Sequence, residues 1–137
     1  MNLDKFTLKA QDAMAVAQQI ASEYGNQQLE PEHVIMAMLR DSEGIIPIIL
    51  KKAGLNIPAL ETSLEHEIKK LPKIQGTGLS QFYLSKRAQQ VIAEALKIAG
   101  TLKDEYISTE HLLLSIVQND KGNAGKILRE MGLQEDN

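Results

Sequence analysis

The sequence predicts an all-α fold, a pseudo-twofold duplicated helical bundle, and three observations carry that expectation. Residues 7–56 lie on residues 85–134 without a gap, an offset of 78 that gives thirteen identities in fifty positions. Within each copy, apolar residues recur at alternating spacings of three and four, the period of a helix with one buried face. No segment alternates apolar and polar residues as a half-buried strand does, so no strand is expected.

The elements follow in order. Phe6, Ala10, Ala13, Ala17, Ile20 and Tyr24 form the buried stripe of a first helix, with Thr7 placed to cap its start. Pro31, suited to a first turn, opens a second helix that is apolar on nearly every side from His33 to Leu39 and therefore belongs in the middle of the domain. A third spans about Ile46 to Ala53 and stops at Gly54. A fourth, Pro58 to Leu71, carries the stripe Leu60, Leu64, Ile68 and Leu71 and is ended by Pro72. Lys73 to Phe82, with Gly76-Thr77-Gly78, has no period and reads as a linker.

The second copy repeats the plan. Ser85 caps a helix striped by Ala88, Val91, Ala95, Ile98 and Leu102, Ser108 caps the next with Glu110 in its first turn, and Ala124 to Met131 closes at Gly132. The twin of the fourth helix falls at about residue 136, beyond Asn137, so seven helices are expected with an eighth missing, as in an excised domain or a fragment of a longer chain. The chain reads as one domain over 1–137, with copies at about 7–71 and 84–137 and a linker at about 72–83.

Composition narrows the function. A chain of 137 residues with 43% hydrophobic residues can bury a core without a disulfide or metal staple. Its net charge of -3 disfavours nucleic acid, and zero cysteines exclude a thiol nucleophile and a cysteine-ligated zinc. No apolar run approaches a membrane span or a signal peptide, so a cytoplasmic protein without a membrane partner is expected. Gly122-Asn123-Ala124-Gly125-Lys126 lacks the first glycine and the final hydroxyl of a phosphate loop, having Asp120 and Ile127 there. His33 and His111 occupy equivalent first turns, but neither helix supplies a second histidine four residues on, so hydrogen-bonded packing is expected and no metal. Catalysis is not expected.

The doubled unit, with Phe6-Thr7, the helix starts Glu32-His33 and Glu110-His111, and Gly54 and Gly132, resembles the Clp N-terminal domain, an all-helical repeat at the front of ATP-driven unfoldases. The opening Asn2 to Thr7, the linker Leu71 to Gly78 and the loop Leu102 to Ser108 are most similar to the disaggregase branch of that family. The resemblance implies a non-catalytic domain, without a cofactor of its own, that contacts unfolded or aggregated protein, or receives adaptor proteins. The parent would be a homohexameric ATPase holding its ATP beyond Asn137, and the isolated domain a monomer. It also implies a substrate region at Thr7, Asp104 and Glu110 beside an apolar groove with Ile98 and Leu102, where Glu94 and His111 are more polar than the family's usual residues. Apolar surface of this kind gains roughly 25 cal/mol for each square ångström covered, enough for weak capture of segments that folded proteins hide. A second branch implies an alternative, paired phosphoarginine pockets made from Thr7 and Ser85 with Glu32 and Glu110, against which Glu30-Pro31 departs from that branch's pattern.

Overall fold

The computed structural model describes residues 3–74 and 83–133. Among these, α1 (Leu8–Glu23), α2 (Pro31–Arg40), α3 (Ile45–Lys52) and α4 (Ile57–Lys69) form the first copy, and α5 (Lys86–Thr101), α6 (Thr109–Asn119) and α7 (Asn123–Glu130) the second. Most of the expected linker and the place of an eighth helix lie outside the described residues.

The helix starts obey the sequence. Thr7 Oγ1 accepts from the Ala10 N–H at 3.1 Å, and its twin Ser85 Oγ accepts from Ala88 at 3.0 Å, each satisfying an amide that the first turn leaves unpaired. Gly54 and Gly132 follow α3 and α7 with φ of 91° and 99°, the left-handed region where a side chain is strained. Helix α2 is the central element. Every residue from Pro31 to Leu39 is buried, because α1, α3, α4, α6 and α7 all pack around it.

One expectation fails. The structure contains two short strands, β1 (Gln28–Leu29) and β2 (Tyr83–Leu84), paired in parallel with Leu29 opposite Leu84. Two residues cannot show a period, and the partners lie on different copies, so the pattern is invisible to a local reading. A matching isolated bridge joins Phe6 to Ile107. The offset of 78 turns Phe6 into Leu84 and Leu29 into Ile107, so the two bridges are one contact made twice about the pseudo-twofold axis. The bonds flanking them repeat as well: Thr7 N–H to Ile107 O at 2.9 Å, and Ser85 N–H to Leu29 O at 3.1 Å.

Both first-turn histidines are structural staples. His33 Nδ1 accepts from the Glu30 N–H at 2.9 Å, which places its proton on Nε2, 3.0 Å from Asn26 Oδ1. Burial lowers the His33 pKa to about 4. An unfolded histidine titrates near 6.5, so between these values the unfolded chain binds a proton that the native state refuses. Stability from this residue is therefore complete above pH 6.5 and falls as pH drops toward 4, by at most about 3 kcal/mol. Burial raises the Glu32 pKa despite the pull of Arg87, which acts in the opposite direction at the acid end. Urea unfolding at pH 7 and pH 5 is expected to show a loss that shrinks in His33→Gln, since glutamine can also bond back to the N-cap amide without titrating. An unchanged pH slope in the variant would assign the acid sensitivity to other groups.

Candidate binding groove

The start of α1 lies beside the start of α6 because of the Thr7–Ile107 pairing, and an open groove of about 800 Å³ runs along this junction. Its walls are Leu8, Asp12 and Val16 of α1, the turn from Arg40 to Ile46, and the α6 start from Ser108 to Glu110. Leu8 is 78% exposed and Ile45 47%, so the groove has apolar lips open to solvent. A second cleft of about 530 Å³ adjoins it, lined by Leu102, Asp104, Tyr106 and Leu114 among others. Thr7, Ser108 and Glu110 line both.

The structure thus brings four of the five expected substrate residues together. Thr7 is half-buried at the saddle and also caps α1. Glu110 is exposed there, and its Oε1 accepts a hydrogen bond from Thr109 Oγ1 at 3.0 Å. Leu102 is exposed at the C-terminus of α5, and Asp104 lies two residues beyond it. Between them Lys103 takes φ 62°, the conformation that its twin Gly25 adopts at 73°. His111 Nδ1 accepts from the Ser108 N–H at 2.9 Å, so its Nε2–H donates to Asp104 Oδ2, also at 2.9 Å. Asp104 therefore occupies the position that Asn26 holds for His33, and half of its side chain remains exposed. Ile98 is the exception: it is half-buried and lines neither cleft, while Ala88, Val91, Ala95 and Ala99 form the buried side of α5.

The twin of the groove is closed. The pseudo-twofold carries Thr7, Lys9, Gly44 and Glu110 onto Ser85, Arg87, Gly122 and Glu32. There Arg87 Nε and Nη2 donate to the two carboxylate oxygens of Asp120 at 2.9 and 2.8 Å, and Nη2 reaches Glu32 Oε2 at 3.2 Å. The guanidinium lies against Gly122, where a Cβ would overlap Arg87 Cζ. Burial pushes the Asp120 pKa up, but bonds from Arg87 and the Gly125 amide more than offset this and hold it below the usual range. Of the alternative phosphoarginine set, Glu32 and Ser85 are buried in this filled corner, whereas Thr7 and Glu110 face the open groove. Sequence reasoning missed Leu8, Val16 and Ile45, although Leu8, Asp12 and Val16 recur every four residues on a face separate from the core stripe.

A duplicated helical domain with a cross-paired seam and an open apolar groove defines a class of small helical repeat module. Comparison with known proteins specifies it: the Clp repeat (R) N-terminal domain family matches residues 5–131, and the chain belongs to that family. The chaperone protein ClpB of Clostridium tetani is 36% identical over 99% of this chain, and that of Nitratidesulfovibrio vulgaris is also 36% identical over 99%. The chain spans about 16% of the length of these relatives. Among solved structures, the Hsp104 N-terminal domain from Candida albicans superposes with a TM-score of 0.81 at 26% identity, covering 97% of this chain and 85% of that one. A ClpV N-domain in complex with VipB peptide superposes with a TM-score of 0.78 at 17% identity, covering 100% of this chain and 86% of that one, and shares the fold. Among the described residues no helix is long and apolar enough to cross a membrane.

Proposed function

We propose that this chain is the non-catalytic client-recognition domain of a ClpB-type, ATP-dependent disaggregase. It binds unfolded or aggregated polypeptide in the groove at Thr7 and Glu110 and passes it to a hexameric, cytoplasmic motor whose ATP sites lie on other domains. The observation that carries this reading is the asymmetry of the twin sites: one is plugged by Arg87, and the other keeps its apolar walls exposed. A solvated apolar surface gains free energy only by being covered, and an unfolded chain is the partner that offers loose apolar segments. The peptide bound by a ClpV N-domain supports the reading, since that fold-mate accepts a short segment of another protein. Weak capture, at micromolar strength or poorer and so about 8 kcal/mol or less, lets a motor pull the client onward.

An NMR titration of the 137-residue chain with a reduced, permanently unfolded model protein tests the proposal. Amide shifts are expected at Leu8, Val16, Ile45 and Leu102, and Leu8→Ser with Ile45→Ser should weaken binding about tenfold or more. Shifts confined to other faces, or none, would remove it. Asp104→Asn with Glu110→Gln should weaken binding of basic clients while moving Tm by only a few degrees, because asparagine still accepts from His111 as Asn26 does from His33. Alanine at Asp104 is the poorer variant, since it leaves the buried His111 Nε2–H without its acceptor.

A further inference from the structure

We infer that the cleft at the end of α5 holds its client as an extended main chain, through N–H groups two residues apart that donate to the Lys103 carbonyl and to Asp104 Oδ1. This deepens the proposed function and rests on it. The cleft, which forms one trough with the groove through Thr7, Ser108 and Glu110, has a twin that the chain covers itself. The offset of 78 carries Asn26, Gln27, Gln28 and Glu30 onto Asp104, Glu105, Tyr106 and Ser108, which line the cleft. The first four line a pocket of about 320 Å³ whose other wall is Leu71, Pro72 and Ile74, the stretch of this same chain that follows α4. Asn26 Nδ2 donates to Pro72 O at 3.1 Å, and the Ile74 N–H donates to Gly25 O at 2.8 Å. Residues 72 and 74 thus face one turn, the alternation of an extended chain.

The turn that receives this strap is made twice. Gly25 and Lys103 both take positive φ, 73° and 62°. The Gly25 N–H donates to Ser22 O at 3.0 Å and the Asn26 N–H to Ala21 O at 2.8 Å, and the second copy repeats both bonds, Lys103 to Gly100 O at 3.0 Å and Asp104 to Ala99 O at 2.8 Å. The two turns therefore present the carbonyls of Gly25 and Lys103 alike, yet among the described residues no hydrogen bond reaches Lys103 O. Leu102 and Tyr106, 58% and 48% exposed, stand beside it with Leu114 as apolar surface for the side chains that flank the bonded amides.

One difference sets what the open cleft accepts. Asn26 gives its side-chain oxygen to His33 and its amide nitrogen to Pro72 O. Asp104 gives Oδ2 to His111, and its remaining atom, Oδ1, is a second acceptor where Asn26 has a donor. A carbonyl at the place of Pro72 O is repelled there, and an N–H is drawn in. Proline has no N–H, so the strap that closes the first cleft has the wrong chemistry for the second.

Fluorescence anisotropy with the 137-residue chain and labelled, uncharged, end-capped peptides of about ten residues tests the inference. The parent peptide carries leucine, alanine, glutamine and isoleucine at the places of strap residues 71–74; a second has proline for the alanine, and a third an N-methyl group on the isoleucine amide. The parent is expected to bind about three- to tenfold more tightly than either, one hydrogen bond being lost in each. Asp104→Asn, which keeps an acceptor for His111 and restores the donor of the first copy, should bring the proline peptide level with the parent. The N-methyl peptide should stay weak in that variant, because the Lys103 carbonyl is unchanged. A proline penalty that persists in Asp104→Asn, or an N-methyl peptide that binds as well as the parent, would overturn the inference while leaving client binding standing. Failure of every peptide to bind would also overturn it, and the proposed function would fall with it only if the unfolded model protein shifted no amide of the trough.

Discussion

Arg87→Met is expected to lower the stability of the domain by about 3–5 kcal/mol, which in a chain of this size moves Tm down by about 10 °C or more. The reason is what the substitution leaves behind. The Asp120 and Glu32 side chains are 1% and 2% exposed, and Arg87 is the cation that both contact. Glu32 Oε1 already has no hydrogen-bond partner, and once the guanidinium is gone the carboxylate keeps only a backbone bond and no counter-charge among the described contacts. Glu30, with Oε1 3.6 Å from Arg87, adds a third carboxylate to the same corner. A buried pair broken from one side costs far more than the pair contributed, because the remaining charge is stranded in a medium that solvates it poorly. The triple variant Arg87→Met, Glu32→Gln, Asp120→Asn should recover a large part of the loss. Neutral amides need no counter-charge, and the side-chain oxygen of the asparagine that replaces Asp120 can still accept from the Gly125 amide. Urea unfolding of the three proteins decides the matter. A cost below about 1 kcal/mol for the single variant would reduce the Arg87 cluster to an ordinary surface ion pair.

This cluster also marks where the sequence stops being legible. The seven helices follow from apolar spacing, and the starts of α1, α5 and α6 from Thr7, Ser85 and Ser108, because caps and periodicity act within a few residues. The repeat exposed the pseudo-twofold axis, and Thr7, Leu102, Asp104 and Glu110 converge on one trough. Differences between the copies, such as Lys9 against Arg87 and Ser42 against Asp120, are visible in the alignment as substitutions. Their consequence is not, because Arg87 meets Glu32 across 55 positions and the seam that joins them consists of two-residue strands. Leu8 and Ile45 were hidden for a different reason. Apolar residues on a helix are assigned to the core by default, and only the packed bundle shows that these two are left outside it.

Gly125→Ala is the second large effect expected, a loss of about 3 kcal/mol, at the upper end of what overpacking costs. Helix α7 approaches the end of α6 so closely that a Cβ on Gly125 would overlap Asp120 O and stand 2.8 Å from Ile116 O. Both are backbone atoms of the preceding element, and neither can swing aside as a flexible side chain does. The approach is held by polar bonds that separation would stretch: the Gly125 N–H donates to Asp120 Oδ2 at 2.9 Å, and Arg129 Nη1 donates to Val117 O and Asp120 O, each at 2.9 Å. The first copy solves the same junction with other residues. Pro47 stands at the twin of Gly125 and has no N–H to give, and Ser42 stands at the twin of Asp120 and has no carboxylate to receive one. Gly125 and Asp120 are thus a matched pair, and because Asp120 also holds Arg87, widening the α6–α7 junction loosens the plug of the twin site. Gly125→Ala should therefore lower Tm by roughly 10 °C and also weaken the protection of the Gly125 amide against hydrogen exchange. Gly100→Ala serves as the control, since a Cβ there meets no atom within 4 Å and a glycine in the last turn of α5 replaced by alanine gains helix propensity. Equal and small effects of the two substitutions would show that the junction relaxes freely and that close packing of α7 on α6 does not hold Asp120 in place.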